Sequence, residues 1–215
     1  YTSRARKEHV PARSFFKLEE IDERFNILRP GQKVLDLGCW PGSWTLYAAR
    51  KVGREGRVMG VDMKKVTTDL PPHAKTVVED AFAFARTVST SLPTLDVVMS
   101  DMAPKTMGDF RTDHSRSARL VELAMGIADA KVAIGGSFLA KILDGAETQD
   151  LLKQLKLRYE AARIVRPKAT RSQSNEVYLM GLGKIPINIE VPTTYTAPAP
   201  AKPRPTPQPR DFNGW

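Results

Sequence analysis

The stretch that decides the fold is VLDLGCWPGSW, residues 34–44. Residues 34–37 are apolar around a single aspartate, which is typical of a buried strand. Gly38 and Gly42 bracket the turn that follows, and a helical pattern begins at about Trp44. Glycines let a ligand come close to the backbone, and the free N–H groups at the start of a helix face it. The stretch therefore predicts a cradle for a nucleotide-like ligand.

Strand and helix patterns alternate beyond this stretch, and one helix precedes it. Further strands are predicted at 57–61, 75–78, 94–100, 137–143, 161–165 and 176–182, and helices at 15–25, 44–52, 115–133 and 147–158. Gly135 and Gly136 are predicted to end the third of these helices. The alternation predicts an α/β fold with a seven-stranded, mostly parallel sheet and helices on both faces. We expect a basic arm and helix over 1–30, an α/β domain over 31–184 and an extended proline-rich extension over 185–215.

The chain is basic, with 33 lysines and arginines against 24 acids and a formal net charge of +9. Such an excess favours a polyanionic partner such as nucleic acid. Two segments concentrate the charge and are predicted to bind phosphates. They hold Arg4, Arg6, Lys7 and Arg13 in the N-terminal arm, and Lys168 and Arg171 in a loop. A solvated face explains the arm equally well.

Cys39 is the only cysteine, which excludes an intramolecular disulfide and suits a reducing compartment. No apolar run approaches the ~20 residues that a membrane-spanning helix needs. No residue pattern predicts a metal site. We expect a cytoplasmic protein that is monomeric and contacts no membrane.

Three aspartates follow predicted strands. Asp62 lies 20 positions after Gly42, and an acid at this spacing typically holds the ribose hydroxyls of a nucleoside. Asp80 could accept a hydrogen bond from an adenine amino group, although a plain surface acid explains it nearly as well. Asp101 follows the fourth strand, where α/β sheets place working residues. The GxxxGxW turn differs from the GxGxxG of nicotinamide cofactor sites and favours a nucleoside without a pyrophosphate, such as S-adenosylmethionine.

Lys141 lies inside the apolar strand pattern FLAKIL, residues 138–143. A lysine in such a strand is rare unless it has a partner or a task. Burial and nearby cations favour the neutral amine of a lysine, which can then act as a base. Snorkelling of the side chain from the end of the strand is the alternative without a function.

Five ordered motifs resemble those of the FtsJ/RrmJ-type RNA 2′-O-methyltransferases over about residues 3–184. They are SFFKL at 14–18, DLG with PGSW at 36–44, SDMAP at 100–104, GGSF leading to Lys141, and SNEVY at 174–178. The resemblance implies the Rossmann-like fold of S-adenosylmethionine-dependent methyltransferases, with a catalytic tetrad and a set of cofactor contacts. The tetrad is Lys17, Asp101, Lys141 and Glu176, and the contacts are Gly38, Gly42, Ser43, Trp44, Asp62, Asp80 and Asp101. The chain departs from the family at Cys39-Trp40, where small residues are usual, and at Ser43, where glycine is usual.

The resemblance implies 2′-O-methylation of a ribose in RNA, most closely that of a uridine in large-subunit ribosomal RNA. Lys141 would then be the base or hydrogen-bond acceptor for the 2′-hydroxyl, with Lys17 as a second cation nearby. Glu176 would orient either lysine, and Asp101 would do so from the cofactor side. A transfer-RNA or cap 2′-O-methyltransferase is the first alternative, and the motifs do not separate it. An inactive RNA-binding module and a small-molecule methyltransferase are the others. Lys141 argues against the module, and the net charge argues against a small-molecule substrate.

Overall fold

The structure is a computed structural model that describes residues 12–105, 107–171 and 173–186. Its helices are α1 (Ala12–Phe25), α2 (Ser43–Val52), α3 (Ala81–Ser91), α4 (Phe110–Lys131) and α5 (Thr148–Lys156). Its strands are β1 (Lys33–Leu37), β2 (Arg57–Asp62), β3 (Ala74–Val78), β4 (Leu95–Ser100), β5 (Val132–Leu143), β6 (Tyr159–Val165) and β7 (Glu176–Lys184). The predicted phosphate contacts Arg4, Arg6 and Lys7 lie outside the described residues, as does the proline-rich extension beyond residue 186.

The described strands form one sheet in the order β3-β2-β1-β4-β5-β7-β6. The pairs from β3 to β5 are parallel, and β7 runs antiparallel between β5 and β6. This confirms the predicted seven-stranded, mostly parallel sheet. The strand order reverses between β1 and β4, and a crevice opens at such a point beyond the carboxyl ends of the strands.

Two apolar cores cover the two faces of the sheet. Alternate residues of β1 divide between them, because successive side chains of a strand point to opposite faces. Leu35 and Leu37 pack with α3, α4 and α5, whereas Val34 packs with α1 and α2. On α1, Leu18 and Ile21 are fully buried, so the predicted N-terminal helix is packed against the sheet.

The described chain differs from the predicted elements mainly between residues 81 and 136. Helix α3 was not predicted. Helix α4 begins at Phe110 rather than at 115, and Asp109 caps its first turn by accepting a hydrogen bond from Thr112 N at 2.9 Å. The glycine pair belongs to β5 and does not end the helix. Gly135 has φ +82°, and a Cβ on Gly136 would lie 2.6 Å from Asp96 O. The glycines therefore let an irregular strand pass close to β4.

The described helices include none that is both long enough and apolar enough to span a bilayer.

Candidate active site

The ammonium group of Lys141 contacts a charged residue that directly follows the neighbouring strand β4. Its Nζ donates to Asp101 O at 2.6 Å and to Asp101 Oδ1 at 2.8 Å, and the residue is only 9% exposed. The parallel register of β4 and β5, which pairs Ser100 with Ala140, puts Asp101 beside Lys141. The lysine therefore meets a carboxylate within the protein and does not snorkel into solvent.

Glu176 forms an ion pair with Lys17. Lys17 lies on α1 and Glu176 is the first residue of β7, so the pair joins two segments that are distant in sequence. Both side chains are largely shielded from solvent. Of the two lysines that Glu176 was predicted to orient, its partner in the structure is Lys17.

Tyr178 connects the two ion pairs. Its hydroxyl lies 3.0 Å from Glu176 Oε1 and 3.3 Å from Asp101 Oδ1, as a donor to either carboxylate. Burial and these two carboxylates hold the pKa of Tyr178 well above its ordinary value. The phenol therefore stays protonated and keeps its donor at neutral pH, so the tetrad and Tyr178 form one continuous polar chain.

Ser14 and Trp44 anchor α1 to this chain. Ser14 Oγ donates to Asp101 Oδ2 at 2.9 Å, and Trp44 Nε1 donates to Ser14 O at 2.9 Å. The ring of Trp44 packs against that of Tyr178, with centroids 5.7 Å apart. Trp44 thus supports the tetrad from the start of α2.

A cleft of about 370 Å³ opens beside Asp101 at the carboxyl ends of β1, β2 and β4. Four of the predicted cofactor contacts line it, namely Gly38, Asp62, Asp80 and Asp101. The other three, Gly42, Ser43 and Trp44, lie next to it in the turn and the first turn of α2, and are not among the lining residues. The cleft wall also contains Trp40, Lys64, Glu79 and Lys105. Carboxylates thus outnumber ammonium groups in the wall, which favours a cationic ligand over an anionic one.

The two glycines of the turn are required by packing within the protein. Gly38 has φ +77°, and a Cβ there would lie 2.7 Å from Met102 Cγ. Gly42 has φ +119°, and a Cβ there would lie 2.8 Å from Thr68 Cβ and Val66 Cγ1. The turn therefore packs closely against the segments that follow β2 and β4.

A second cavity of about 390 Å³ lies on the other side of the tetrad. It is lined by Arg13, Lys17, Arg171, Gln173, Ser174 and Glu176. Arg13 and Arg171 are two of the predicted phosphate contacts. The third described one, Lys168, has its backbone N–H bonded to Glu20 Oε1 at 3.0 Å and is not among the lining residues. Asp101 faces the first cavity and Lys17 the second, so the tetrad joins the two.

Comparison with known proteins identifies the family of this chain. Residues 10–184 match the family described as FtsJ-like methyltransferase. The chain belongs to that family. Proteins named ribosomal RNA large subunit methyltransferase E are similar to it. One, from Desulfosudis oleivorans, is 43% identical over 86% of this chain and 89% of its own length. Another, from Sorangium cellulosum, is 43% identical over 85% and 86%.

Two solved structures have the same fold as this FtsJ-like methyltransferase. A ribosomal RNA methyltransferase from Plasmodium falciparum superposes with a TM-score of 0.66 at 23% identity, over 86% of this chain and 98% of its own. An rRNA methylase from Clostridium thermocellum gives 0.55 at 18% identity, over 79% and 97%. At these identities the likeness establishes the fold alone.

Asp36 is a buried acceptor directly beneath the turn of this FtsJ-like methyltransferase. Its Oδ2 accepts from Thr45 Oγ1 at 2.6 Å, and its Oδ1 has no hydrogen-bond partner within the described part of the chain. Burial, with smaller contributions from Asp101 and Asp62, raises the pKa of Asp36 to about 7. Negative charge is therefore concentrated around the cleft. The acidic lining of the cleft fits a cationic nucleoside such as S-adenosylmethionine.

Cys39 is not a nucleophile in this setting. The thiol is buried next to Asp36, and burial is the main reason that its pKa lies above the ordinary value. The reactive thiolate is therefore disfavoured.

Sequence reasoning missed Tyr178, Ser14 and the pair Trp40 and Lys64. Tyr178 lies two residues after Glu176 in a strand and so shares its face, but between Val177 and Leu179 it has the pattern of a core aromatic. Ser14 stands at the start of a recognised motif but carried no assigned role. The contact between Trp40 and Lys64 joins two loops, and no local pattern indicates it.

Proposed function

We propose that this FtsJ-like methyltransferase transfers a methyl group from S-adenosylmethionine to a ribose 2′-oxygen of large-subunit ribosomal RNA, at a uridine. The observation that carries the proposal is the polar chain from Lys17 through Glu176, Tyr178 and Asp101 to Lys141. It stands between one cavity suited to a cationic nucleoside and another lined by arginines. A methyl donor and an RNA acceptor would meet at that chain.

The first cleft is proposed to hold the cofactor because of its charge and the placement of its carboxylates. Asp62 lies where a ribose diol is usually held, and Asp80 at the wall of the same cleft can accept from an adenine amino group. The excess of carboxylates disfavours a pyrophosphate but suits a sulfonium. The turn that carries Gly38 would hold the amino-acid end.

The RNA side follows from the second cavity and the net charge. Arg13 and Arg171 stand at the rim with exposed side chains and can each meet a phosphate. Lys168 and the arm residues Arg4, Arg6 and Lys7 are proposed to extend this contact along the strand. RNA is the substrate class because only RNA offers a 2′-hydroxyl. The named relatives, which are ribosomal RNA large subunit methyltransferases, support a ribosomal target.

When bound, S-adenosylmethionine supplies an electrophilic methyl group. Lys141 would hold the attacking 2′-hydroxyl and accept its proton as the methyl group passes from sulfur to oxygen. Asp101 fixes the position of Lys141 Nζ through its carboxylate and its carbonyl. Lys17, paired with Glu176, would keep a positive charge at the edge of the second cavity, where the RNA is proposed to lie. The proton would end on Lys141, and S-adenosylhomocysteine would be the other product.

The test is methyl transfer from labelled S-adenosylmethionine to large ribosomal subunits, with mapping of the modified nucleotide. Lys141→Ala should abolish transfer while S-adenosylhomocysteine binds as before. Lys141→Arg should fail as well, because a guanidinium does not give up its proton. Lys75→Ala, at an exposed position on β3, is the matched control and should retain activity. Turnover retained by Lys141→Ala would refute the mechanism.

Parallel reactions with transfer RNA and with capped RNA separate the alternative substrates. Methylation of either, with none of the ribosomal subunit, would replace the ribosomal assignment. Cofactor-independent RNA binding with no transfer to any RNA would indicate the inactive module. The cytoplasmic location and the monomeric state stay predictions.

A further inference from the structure

Trp40 and Lys64 form a pair at the rim of the first cleft. Lys64 Nζ lies 4.3 Å from the centroid of the Trp40 ring, a cation–π contact, and both residues line the cleft. Trp40 is 46% exposed, which leaves a large apolar surface at the opening. An exposed pair of this kind adds little to stability by itself. Folding alone thus gives little reason for the indole at this position.

Asp62 holds both members of the pair through their backbones. Its Oδ2 accepts from Trp40 N at 2.9 Å, and its Oδ1 accepts from Lys64 N at 2.8 Å. A further bond, from Thr68 Oγ1 to Pro41 O at 2.7 Å, ties the same two loops together. The indole and the ammonium are therefore placed before any ligand arrives.

The same carboxylate remains able to bind a ligand. Each carboxylate oxygen has two lone pairs, so each can accept a second hydrogen bond. A ribose diol that binds Asp62 would then lie against the residues whose backbone N–H groups donate to Asp62. Those residues are Trp40 and Lys64, so the indole surface would be covered by the ribose.

We propose that Trp40, capped by Lys64, is an affinity-determining wall of the cofactor site that packs against the ribose of the bound nucleoside. The inference rests on the proposed function, since it takes S-adenosylmethionine and its product as the ligands. It gives a role to the position where this chain departs from the small residues usual in the family. Trp40 acts on binding of the nucleoside, whereas Lys141 acts on the reacting hydroxyl.

The test is isothermal titration of the purified protein with S-adenosylhomocysteine. Covering about half of the exposed indole would remove on the order of 60 Å² of apolar surface from water, or about tenfold in Kd. Trp40→Ala should therefore raise Kd about tenfold, and Trp40→Phe should raise it less. Lys64→Met, which keeps the aliphatic stem, should raise Kd about threefold through loss of the cation. Lys65→Met, the neighbouring exposed lysine outside the cleft wall, should leave Kd unchanged.

Fluorescence gives a second readout on the unaltered protein. Saturating S-adenosylhomocysteine should change the emission of the wild type, and Trp40→Phe should abolish most of the change. If the wild type binds S-adenosylhomocysteine and both Trp40 variants bind it equally well, this inference is overturned and the proposed function stands. If the wild type does not bind it at all, the proposed function fails and the inference fails with it.

Discussion

Replacing Asp36 by asparagine should change how the stability of this protein depends on pH. Asp36 is fully buried, and its pKa rises from 3.8 to about 7 on folding. Asparagine has nearly the same shape and can still accept the hydrogen bond from Thr45 Oγ1, but it carries no charge. The substitution therefore removes the cost of burying a carboxylate and little else.

The size of the effect follows from the linkage between proton binding and folding. Because the folded pKa is the higher one, the folded protein holds the extra proton between pH 3.8 and about 7. The stability of the wild type therefore falls as pH rises through that window and levels off above it. One pKa unit corresponds to about 1.36 kcal/mol, so the wild type should lose about 3 kcal/mol relative to Asp36→Asn between pH 5 and pH 8.

Urea unfolding of both proteins without ligand at pH 5, 6, 7 and 8 measures this difference. Contributions from titrating groups that do not interact with Asp36 cancel in the comparison. With a urea m-value of about 2 kcal/mol per molar, the gap between the two midpoints should widen by about 1.5 M from pH 5 to pH 8. Asp69→Asn, at an exposed position, should show no such widening. Parallel loss of stability by Asp36→Asn and the wild type would refute the assignment of a buried, protonated Asp36.

Three further outcomes are expected. Tyr178→Phe removes the hydroxyl that links Glu176 to Asp101 and should lower kcat about tenfold, with unchanged Kd for S-adenosylhomocysteine in titration; an unchanged kcat would show that the link is dispensable. Lys184→Met should lower the free energy of unfolding in urea by about 1–3 kcal/mol, because Nζ caps three carbonyls at the end of α4. Glu20→Ala should weaken binding of ribosomal RNA fragments, because its carboxylate ties two backbone N–H groups of the basic loop to α1; equal binding by filter assay would argue against a positioned loop.

The site residues that could be predicted from the sequence are mainly those at the ends of strands. Asp62 and Asp101 follow apolar runs, and the carboxyl ends of parallel strands meet at one edge of the sheet. Lys141 was recognisable because a lysine in an apolar strand needs a partner. The boundaries of β5 were mispredicted, because Gly135 and Gly136 resemble a helix stop locally. Only the close approach of the Asp96 carbonyl shows why glycines are needed there.

The placement of Glu176 and Tyr178 in the site depends on the direction of β7. A strand that runs antiparallel to its neighbours begins at the edge where they end, so Glu176 starts β7 opposite Leu143. Two residues later Tyr178 pairs with Lys141, and paired residues in a sheet point to the same face. The hydroxyl of Tyr178 thereby reaches both carboxylates of the tetrad. In sequence, Tyr178 reads as a core aromatic between Val177 and Leu179. Its polar role follows only once the register of β5 and β7 is known, which is why short motifs can indicate the tetrad but not the residue that connects it.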